Sequence, residues 1–454
     1  MEHGLLNGPQ FIAELSNSRR KPPQICAAAA IDFRTLDPDL LPGDKQMASL
    51  ITVSAPQAGC RPARSGGRTP AIILQLTALF SCASAQSQPV LIVFAGTHVD
   101  PGYVGQHADW IESRPIDGMV INEYLGRNLL NTRLKADSPN LLDAKTGAVT
   151  YDAAAKDLSP VKGVFKKFHH NFAKVNFSMV GPPPLLNDDA GWQIAYESAT
   201  NYAKAVQDTG LKGVFFDNET YLHPALNGKK ADYWLYEDQI AFTGQSQLSL
   251  SLSTELGLAR RRGRELMQAF VRGYPAVTVI VAHGAHEGCD AWKSRTGHFG
   301  MDHYLLGAFA AGMVEGTSGA ATLVDGGEDY DLRSAQDFSF ARAWRKGIAQ
   351  GGDGITKCPF MDATLAANWQ TKVSIAFSTF DKERPSLKTS DWTPITDVAR
   401  FRTTLTNALR ATDRYVWHYA QWQDWWGNTT EDKLKPWIEA IQAARRDVGM
   451  DARQ

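Results

Sequence analysis

Residues 211–221 read LKGVFFDNETY. Gly213-Val214-Phe215-Phe216 is a short apolar run bounded by a glycine and by polar residues, the pattern of a parallel strand buried on both faces. It ends in Asp217 and Glu219, which alternate with Asn218 and therefore point to one side of the strand. The C-terminal ends of such strands are where barrels and open α/β sheets carry their chemistry. Two acids at one strand mouth suit proton transfer on a glycoside, or a metal. The plainer alternative is a pair of helix-capping or salt-bridged acids.

Outward from this strand, β-rich runs alternate with helical periodicity, the signature of βα units and a parallel sheet. The clearest helix lies just upstream. Asp188 or Asp189 can cap it, Trp192, Ala195, Ala199, Tyr202 and Val206 recur at spacings of three and four, and Gly210 stops it. Before it, strands are expected over 90–96, 116–122 and 174–181. One helix carries Val104, Ala108 and Ile111 and another spans about 160–171, with residues 123–160 irregular. Downstream, residues 220–253 form a long excursion. Strands over 276–284, 321–330, 372–379 and 414–422 then alternate with helices near 254–272, 302–315, 334–349, 395–411 and 430–446. Arg260, Arg261 and Arg262 suit a solvated helix face. Eight strands with helices between them favour an α/β fold of the (β/α)₈ type, a TIM barrel with long βα loops, over an open sheet.

All 12 Trp and all 13 Tyr of the 454 residues follow residue 100, which sets the front section apart from the folded body. RPARSGGRTP (61–70), AIILQLTALF (71–80) and SCASAQS (81–87) join a basic flank, an apolar core and a small-x-small site. That is the pattern of a secretory signal, here cleaved after Ala85. Residues 1–85 are accordingly expected to be a disordered upstream extension plus signal peptide, and 86–454 an exported catalytic barrel, periplasmic or extracellular. The length ahead of the signal fits a start codon assigned upstream of the true one, Met47 or later. Leu79-Phe80-Ser81-Cys82 loosely resembles a lipobox, which makes a lipoprotein the second choice.

The apolar run is too short to remain as a mature transmembrane helix. A net charge of −1 gives no nucleic-acid footprint. Cys289 and Cys358 follow the signal and are free to pair in an oxidising compartment. Neither C-x-x-C nor a histidine-rich tract calls for zinc, so no cofactor or metal is expected. The expected partner is a carbohydrate substrate.

On a barrel each strand end is an address. Strand four brings Asp217, Glu219 and Tyr221, and strand six brings Asp325 and, past Gly326-Gly327, Glu328. Strand one offers His98 and Asp100, strand five His283, His286 and Glu287, and strand eight His418 with Trp422, Trp425 and Trp426. Glycoside cleavage needs one proton donor and a second carboxylate that attacks or activates water. An acid of strand four, Asp217 or Glu219, facing one of strand six, Asp325 or Glu328, is therefore the expected catalytic constellation. His98, Asp100, Tyr221, His283, Glu287, His418, Trp422 and Trp425 are expected around the sugar. Each has a simpler reading: DGGEDYD (325–331) as a surface turn, the tryptophans as packing of the last unit, the histidines as hydrogen-bonding residues.

GLKGVFFDNETY resembles the strand-four signature of secreted TIM-barrel glycosidase-like proteins, including the endo-α-1,4-polygalactosaminidase-like group. Gly210, Gly213 and Asp217 match its G-x-x-G-[VI]-[FL]-[FL]-D pattern, whose Asp is presented to the sugar. Together with VFAGTHVDPGYVGQHADWIESRPIDGMVIN and LVDGGEDYDL, the segment also resembles a group of exported bacterial barrel proteins. That group carries Trp-Asp-x-Pro where this chain has His98-Val99-Asp100-Pro101. The resemblance implies fold and export more than reaction, and it carries over Asp217 alone.

Two other classes remain open. A metal-dependent amidohydrolase-type barrel uses a His-x-His at strand one, histidines at strands five and six and an Asp at strand eight. This chain offers His98-Val99-Asp100, His283 or His286, Asp325 and His418. A non-catalytic glycan-binding barrel would keep the aromatic residues without needing the carboxylates.

Overall fold

Eight parallel strands form among the described residues: β1 (Val90–Ala95), β2 (Gly118–Ile121), β3 (Phe172–Ser178), β4 (Gly213–Thr220), β5 (Thr278–Val281), β6 (Thr322–Asp325), β7 in two segments (Val373–Ile375 and Phe377–Phe380) and β8 (Tyr415–Ala420). The computed structural model describes residues 88–122, 125–126, 129–130, 146–178, 183–220, 223–224, 230–239, 250–289, 304–348, 354–384, 392–427 and 431–450. From β1 to β6 each strand pairs with the next in chain order. The first segment of β7 then pairs with β6, Ile375 opposite Asp325, while its second segment pairs with β8, Phe377 opposite Val416. As β8 pairs with β1 along its whole length, the sheet closes on itself as a (β/α)₈ barrel.

The helices fill the crossovers: α1 (Pro101–Ile111), α2 (Tyr151–Leu158), α3 (Asp189–Thr209), α4 (Leu252–Gly273), α5 (Tyr304–Gly316), α6 (Ala335–Lys346), α7 (Ala363–Lys372), α8 (Val398–Ala411) and α9 (Glu431–Asp447). The sequence marks their ends. Asp188 caps α3 by accepting from the Gly191 amide, and Gly210 leaves it at φ 86°, a left-handed turn that favours glycine. Ser334 and Asp337 form a reciprocal capping box on α6. Among the described residues no helix is long and apolar enough to cross a membrane.

Strand alternation divides the core into two. Val90, Ile92, Phe94, Val120, Phe172, Phe215, Ile280, Val324, Tyr415 and Trp417 fill the barrel interior. Leu91, Val93, Val175, Phe216, Val279, Leu323 and Val416 face the helices. Each large side chain withdrawn from water contributes roughly 1.5–3 kcal/mol, so these two layers hold the barrel. Residue parity then decides which polar groups at a strand end look into the mouth.

Three expectations are corrected. The second helix covers Tyr151–Leu158, not 160–171, because Thr150 caps it and a short 3₁₀ turn, Ser159–Val161, follows it with Pro160 inside. The backbone that follows is pinned instead by Glu112, whose carboxylate accepts from the amides of Lys166, Lys167 and Phe168. The sequence pattern does not mark helix α7, which lies between α6 and β7 in the chain and packs on α5. The arginines of α4 are not a solvated face. Arg262 is buried and reaches Asp189 and the Leu186 carbonyl, and Arg260 bridges Glu315 and Asp362. Cys289 and Cys358 are joined by a disulfide, tying the loop after β5 to the segment before α7.

Candidate active site

β4 turns Phe215 into the barrel interior and Val214 and Phe216 toward the helices. By the same alternation Asp217 and Glu219 rise from Phe215 into the C-terminal mouth, as expected. Asp217 is buried and accepts from the Lys174 ammonium at 2.8 Å and the Asn176 amide at 3.0 Å. Both donors come from β3, on the parity of Phe172. The Lys174 ammonium also lies 4.3 Å from the centre of the Phe94 ring. Phe94, Phe215, Trp417 and Tyr419 make an aromatic floor, with Phe94 and Tyr419 stacked at 4.8 Å.

Asn218, between the two acids, faces outward and serves the site indirectly. Its side chain donates to the His283 carbonyl at 2.8 Å and accepts from the His283 amide at 2.9 Å. β5 has ended by then, so this bidentate staple sets where His283 enters the mouth. His283 Nε2 stands 3.2 Å from a Glu328 carboxylate oxygen. The other oxygen of Glu328 accepts from the Tyr330 hydroxyl at 2.8 Å. Burial works against a charged His283, but Glu328, with Glu287 and Glu219 behind it, outweighs burial and holds its pKa up at about 10. Burial, reinforced by Glu328, also raises Tyr330 and Tyr419, so both phenols keep their protons.

Glu328 reaches this position through the Gly326-Gly327 turn. Gly327 has φ 54°, and a Cβ there would lie 2.1 Å from the Arg345 guanidinium, so only glycine fits. The Glu328 amide donates to Ala282 at the end of the neighbouring strand, and Trp417 Nε1 donates to the Gly326 carbonyl. The turn is held from both sides.

Of the four acids expected to act together, Asp217, Glu219 and Glu328 gather around His283. Asp325 does not. It shares the parity of Leu323 rather than Val324, so its carboxylate points into the layer between strands and helices. There it pairs with the fully buried Arg345, which also donates to the Asp325 and Ala376 carbonyls. Burial would raise Asp325, yet Arg345 and His286 outweigh it and hold the carboxyl well below the usual range. His286 is buried between Asp325 and Glu287, 3.6 and 3.3 Å away, and Glu287 is turned toward it.

The flanking residues divide as well. His418 has the helix-facing parity of Val416. It packs on Phe401, lies beside Thr379, and is pushed by burial down to a pKa of about 3. Trp425 and Trp426 are fully buried in the helix-side core, whereas Trp422 is 59% exposed. Asp100 caps α1 through the Tyr103 amide, and His98 lies partly exposed, 3.8 Å from Asp424. Tyr221 lies outside the described residues. The contributors missed in sequence are Lys174, Asn176, Asn218, Tyr330 and Tyr419. A lysine and an asparagine two apart inside the apolar run of β3 were the available signal.

Asp217, Glu219 and His283 each bring one possible ligand atom, all within 4.8 Å of one another. A cation held there would compete with Lys174 for Asp217 and with Glu328 for His283. The residues that an amidohydrolase-type site requires do not meet, since His286 and His418 lie behind the strands.

The sequence matches no protein-family model and no curated protein sequence. The chain is similar in structure to the β-mannanase of the blue mussel Mytilus edulis, with 11% identity and a TM-score of 0.39 over 81% of this chain and 94% of that one. It is similar to a GH5_18 protein of Streptomyces cattleya in complex with GlcNAc, with 12% identity and a TM-score of 0.44 over 80% and 81%. It is also similar to a GH18 chitinase of Pseudoalteromonas aurantia, with 12% identity and a TM-score of 0.35 over 78% and 99%. Likeness at this level transfers no residue roles.

Proposed function

We propose that this protein is an exported glycoside hydrolase that cleaves a poly- or oligosaccharide with Glu219 and Glu328. The observation that carries the reading is the meeting of carboxylates from β4 and from the β6 loop around one histidine, above an aromatic floor. Glu328 accepts a hydrogen bond from Tyr330 and faces His283. It serves as the nucleophile or as the base that activates water. Glu219 follows Asp217 on the same face of β4 and offers a carboxylate oxygen within 4.8 Å of His283. It donates its proton to the leaving oxygen. Asp217, neutralised by Lys174, orients the sugar rather than exchanging protons with it. A separation near 5–5.5 Å between the two catalytic carboxyls corresponds to retention and about 6.5–9.5 Å to inversion.

Export is supported by the signal-like segment ending at Ala85 and by the Cys289–Cys358 disulfide, which belongs to an oxidising compartment. The test is a screen of purified residues 86–454 against polysaccharides, with Glu219→Gln and Glu328→Gln alongside. Each change is expected to lower kcat by at least about a hundredfold. Azide is expected to restore turnover to Glu328→Ala if the enzyme is retaining. Hydrolysis that survives both amide substitutions overturns the assignment. Stoichiometric metal in the purified protein, bound through Asp217, Glu219 and His283, would favour a metal-dependent hydrolase instead.

A further inference from the structure

Past the C-terminal end of β8 the chain continues as Gln421-Trp422-Gln423-Asp424. Leu252, Ile348 and Trp422 are the exposed large hydrophobic residues among those described, and Trp422 alone is aromatic. Its backbone is firmly held. Asp381, the residue after β7, is fully buried, and one carboxylate oxygen accepts from the Trp422 amide at 2.6 Å and from the Gln423 amide at 2.7 Å. The other oxygen has no hydrogen-bond partner among the described residues. Burial pushes this carboxyl up to about 6, against the pull of those amides. A buried acid that holds two consecutive loop amides at such a cost needs a use for the loop it holds.

The same loop is laced to the end of β1. Asp424 accepts from the Thr97 hydroxyl at 3.1 Å and stands 3.8 Å from His98 Nε2. His98 has φ 54° and is the one non-glycine residue with positive φ among those described. Its ring lies 4.8 Å from Tyr103 and against Gly427, where a Cβ would come within 2.3 Å of it. Backbone strain of this kind gathers at ligand sites. The loop thus carries an exposed indole two residues before a carboxylate that stands beside an imidazole. A pyranose ring fits that chemistry, its C–H face on the indole and its hydroxyls on Asp424 and His98.

We infer that Asp381 is a positioning residue, whose carboxylate fixes Trp422, Asp424 and His98 as an outer sugar subsite on the β1–β8 side of the mouth. The inference rests on the carbohydrate reading of the site but not on the roles of Glu219 and Glu328. A subsite outside the catalytic cluster implies that the substrate is a chain of several sugar units.

The test has two arms on the purified protein. In the first, hydrogen exchange at the Trp422 and Gln423 amides, corrected for intrinsic rates, is compared in wild type, Asp381→Asn and Asp381→Ala. Protection is expected to fall at least about tenfold in the alanine variant and to stay within about threefold in the asparagine variant, which keeps a carbonyl acceptor. In the second, binding of cellohexaose, mannohexaose and chitohexaose is measured. At least one is expected to bind, about tenfold more weakly to Trp422→Ala and to Asp381→Ala, near wild type to Asp381→Asn, and no more weakly to the double variant. Equal protection in all three proteins, additive losses, or no binding of any of the three sugars overturns the inference. Binding through Trp422 without hydrolysis sinks the catalytic assignment and leaves this one standing.

Discussion

Asp325→Asn removes the only charge that the carboxylate side of a fully buried pair supplies to Arg345. The guanidinium keeps its carbonyl acceptors, Asp325 and Ala376, but is left as an uncompensated charge between sheet and helices. Breaking a buried pair in this way costs about 3–5 kcal/mol. For a domain of this size that corresponds to a Tm lowered by roughly 4–6 °C. The pH dependence has a definite sign. Asp325 titrates well below an ordinary carboxyl, so its contribution is present at neutral pH and is lost only as pH falls through its own low value. The gap between wild type and variant is therefore flat across neutral pH and closes in strong acid. The assay is thermal melting from pH 3 to 8 together with kcat at 25 °C, where the variant is still folded. Glu328→Gln is the control, since its side chain is partly exposed and pairs at the mouth. It is expected to lose turnover, and to lose Tm only where His283 is charged and left without its partner, so that its melting gap to wild type closes as pH rises toward 10. An Asp325→Asn protein that melts with wild type yet has lost turnover like Glu328→Gln would refute the reasoning, because Asp325 would then belong to the chemistry and not to the frame.

Two further outcomes follow from the same structure. His283 titrates at about 10, above its ordinary value, so its stabilising contribution is complete below about 6.5 and drains away as pH rises to 10. The Tm advantage of wild type over His283→Asn should shrink across that window, and an advantage that does not change between pH 6 and 10.5 contradicts the Glu328–His283 pair. The Cys289–Cys358 bond closes a loop of 69 residues, for which chain entropy gives about 4 kcal/mol. Reduction, or replacement of both cysteines by serine, should lower the urea midpoint accordingly, and an unchanged midpoint would show that the loop is held by packing alone.

The architecture was legible because its signals are redundant. Each strand is a compact apolar run, α3 carries both its cap and its stop, and the segment 211–221 puts two acids on the parity of an inward phenylalanine. The errors in the site share one physical origin. TLVD and YVWHYA are apolar on both faces, so the sequence pattern does not say which parity looks inward. The pattern alone puts Asp325 and His418 at the mouth, where only their neighbours face, Val324 within β6 and Tyr419 in β8. Glu328 survived because two glycines carry it past the end of β6 and free it from strand alternation. The second helix was missed because YDAAAKDL is short and its start depends on Thr150 alone. Arg345 sits in the last turn of α6, where a basic residue suits the helix dipole, so nothing local marks it as fully buried.

The break at Ala376 gives the ring of strands a clasp. A closed ring offers no row of open amides for another molecule to zip onto. Here that closure depends on two short ladders meeting at one alanine, whose amide is taken by Asp325 and whose carbonyl is taken by Arg345. The acid that the sequence suggests for catalysis instead pairs with the arginine that holds this alanine, while its own backbone carbonyl takes the alanine's amide. Loosening that latch would bare the margins of β6 and β8 to neighbouring chains, so harm done there registers as clumping as well as softening.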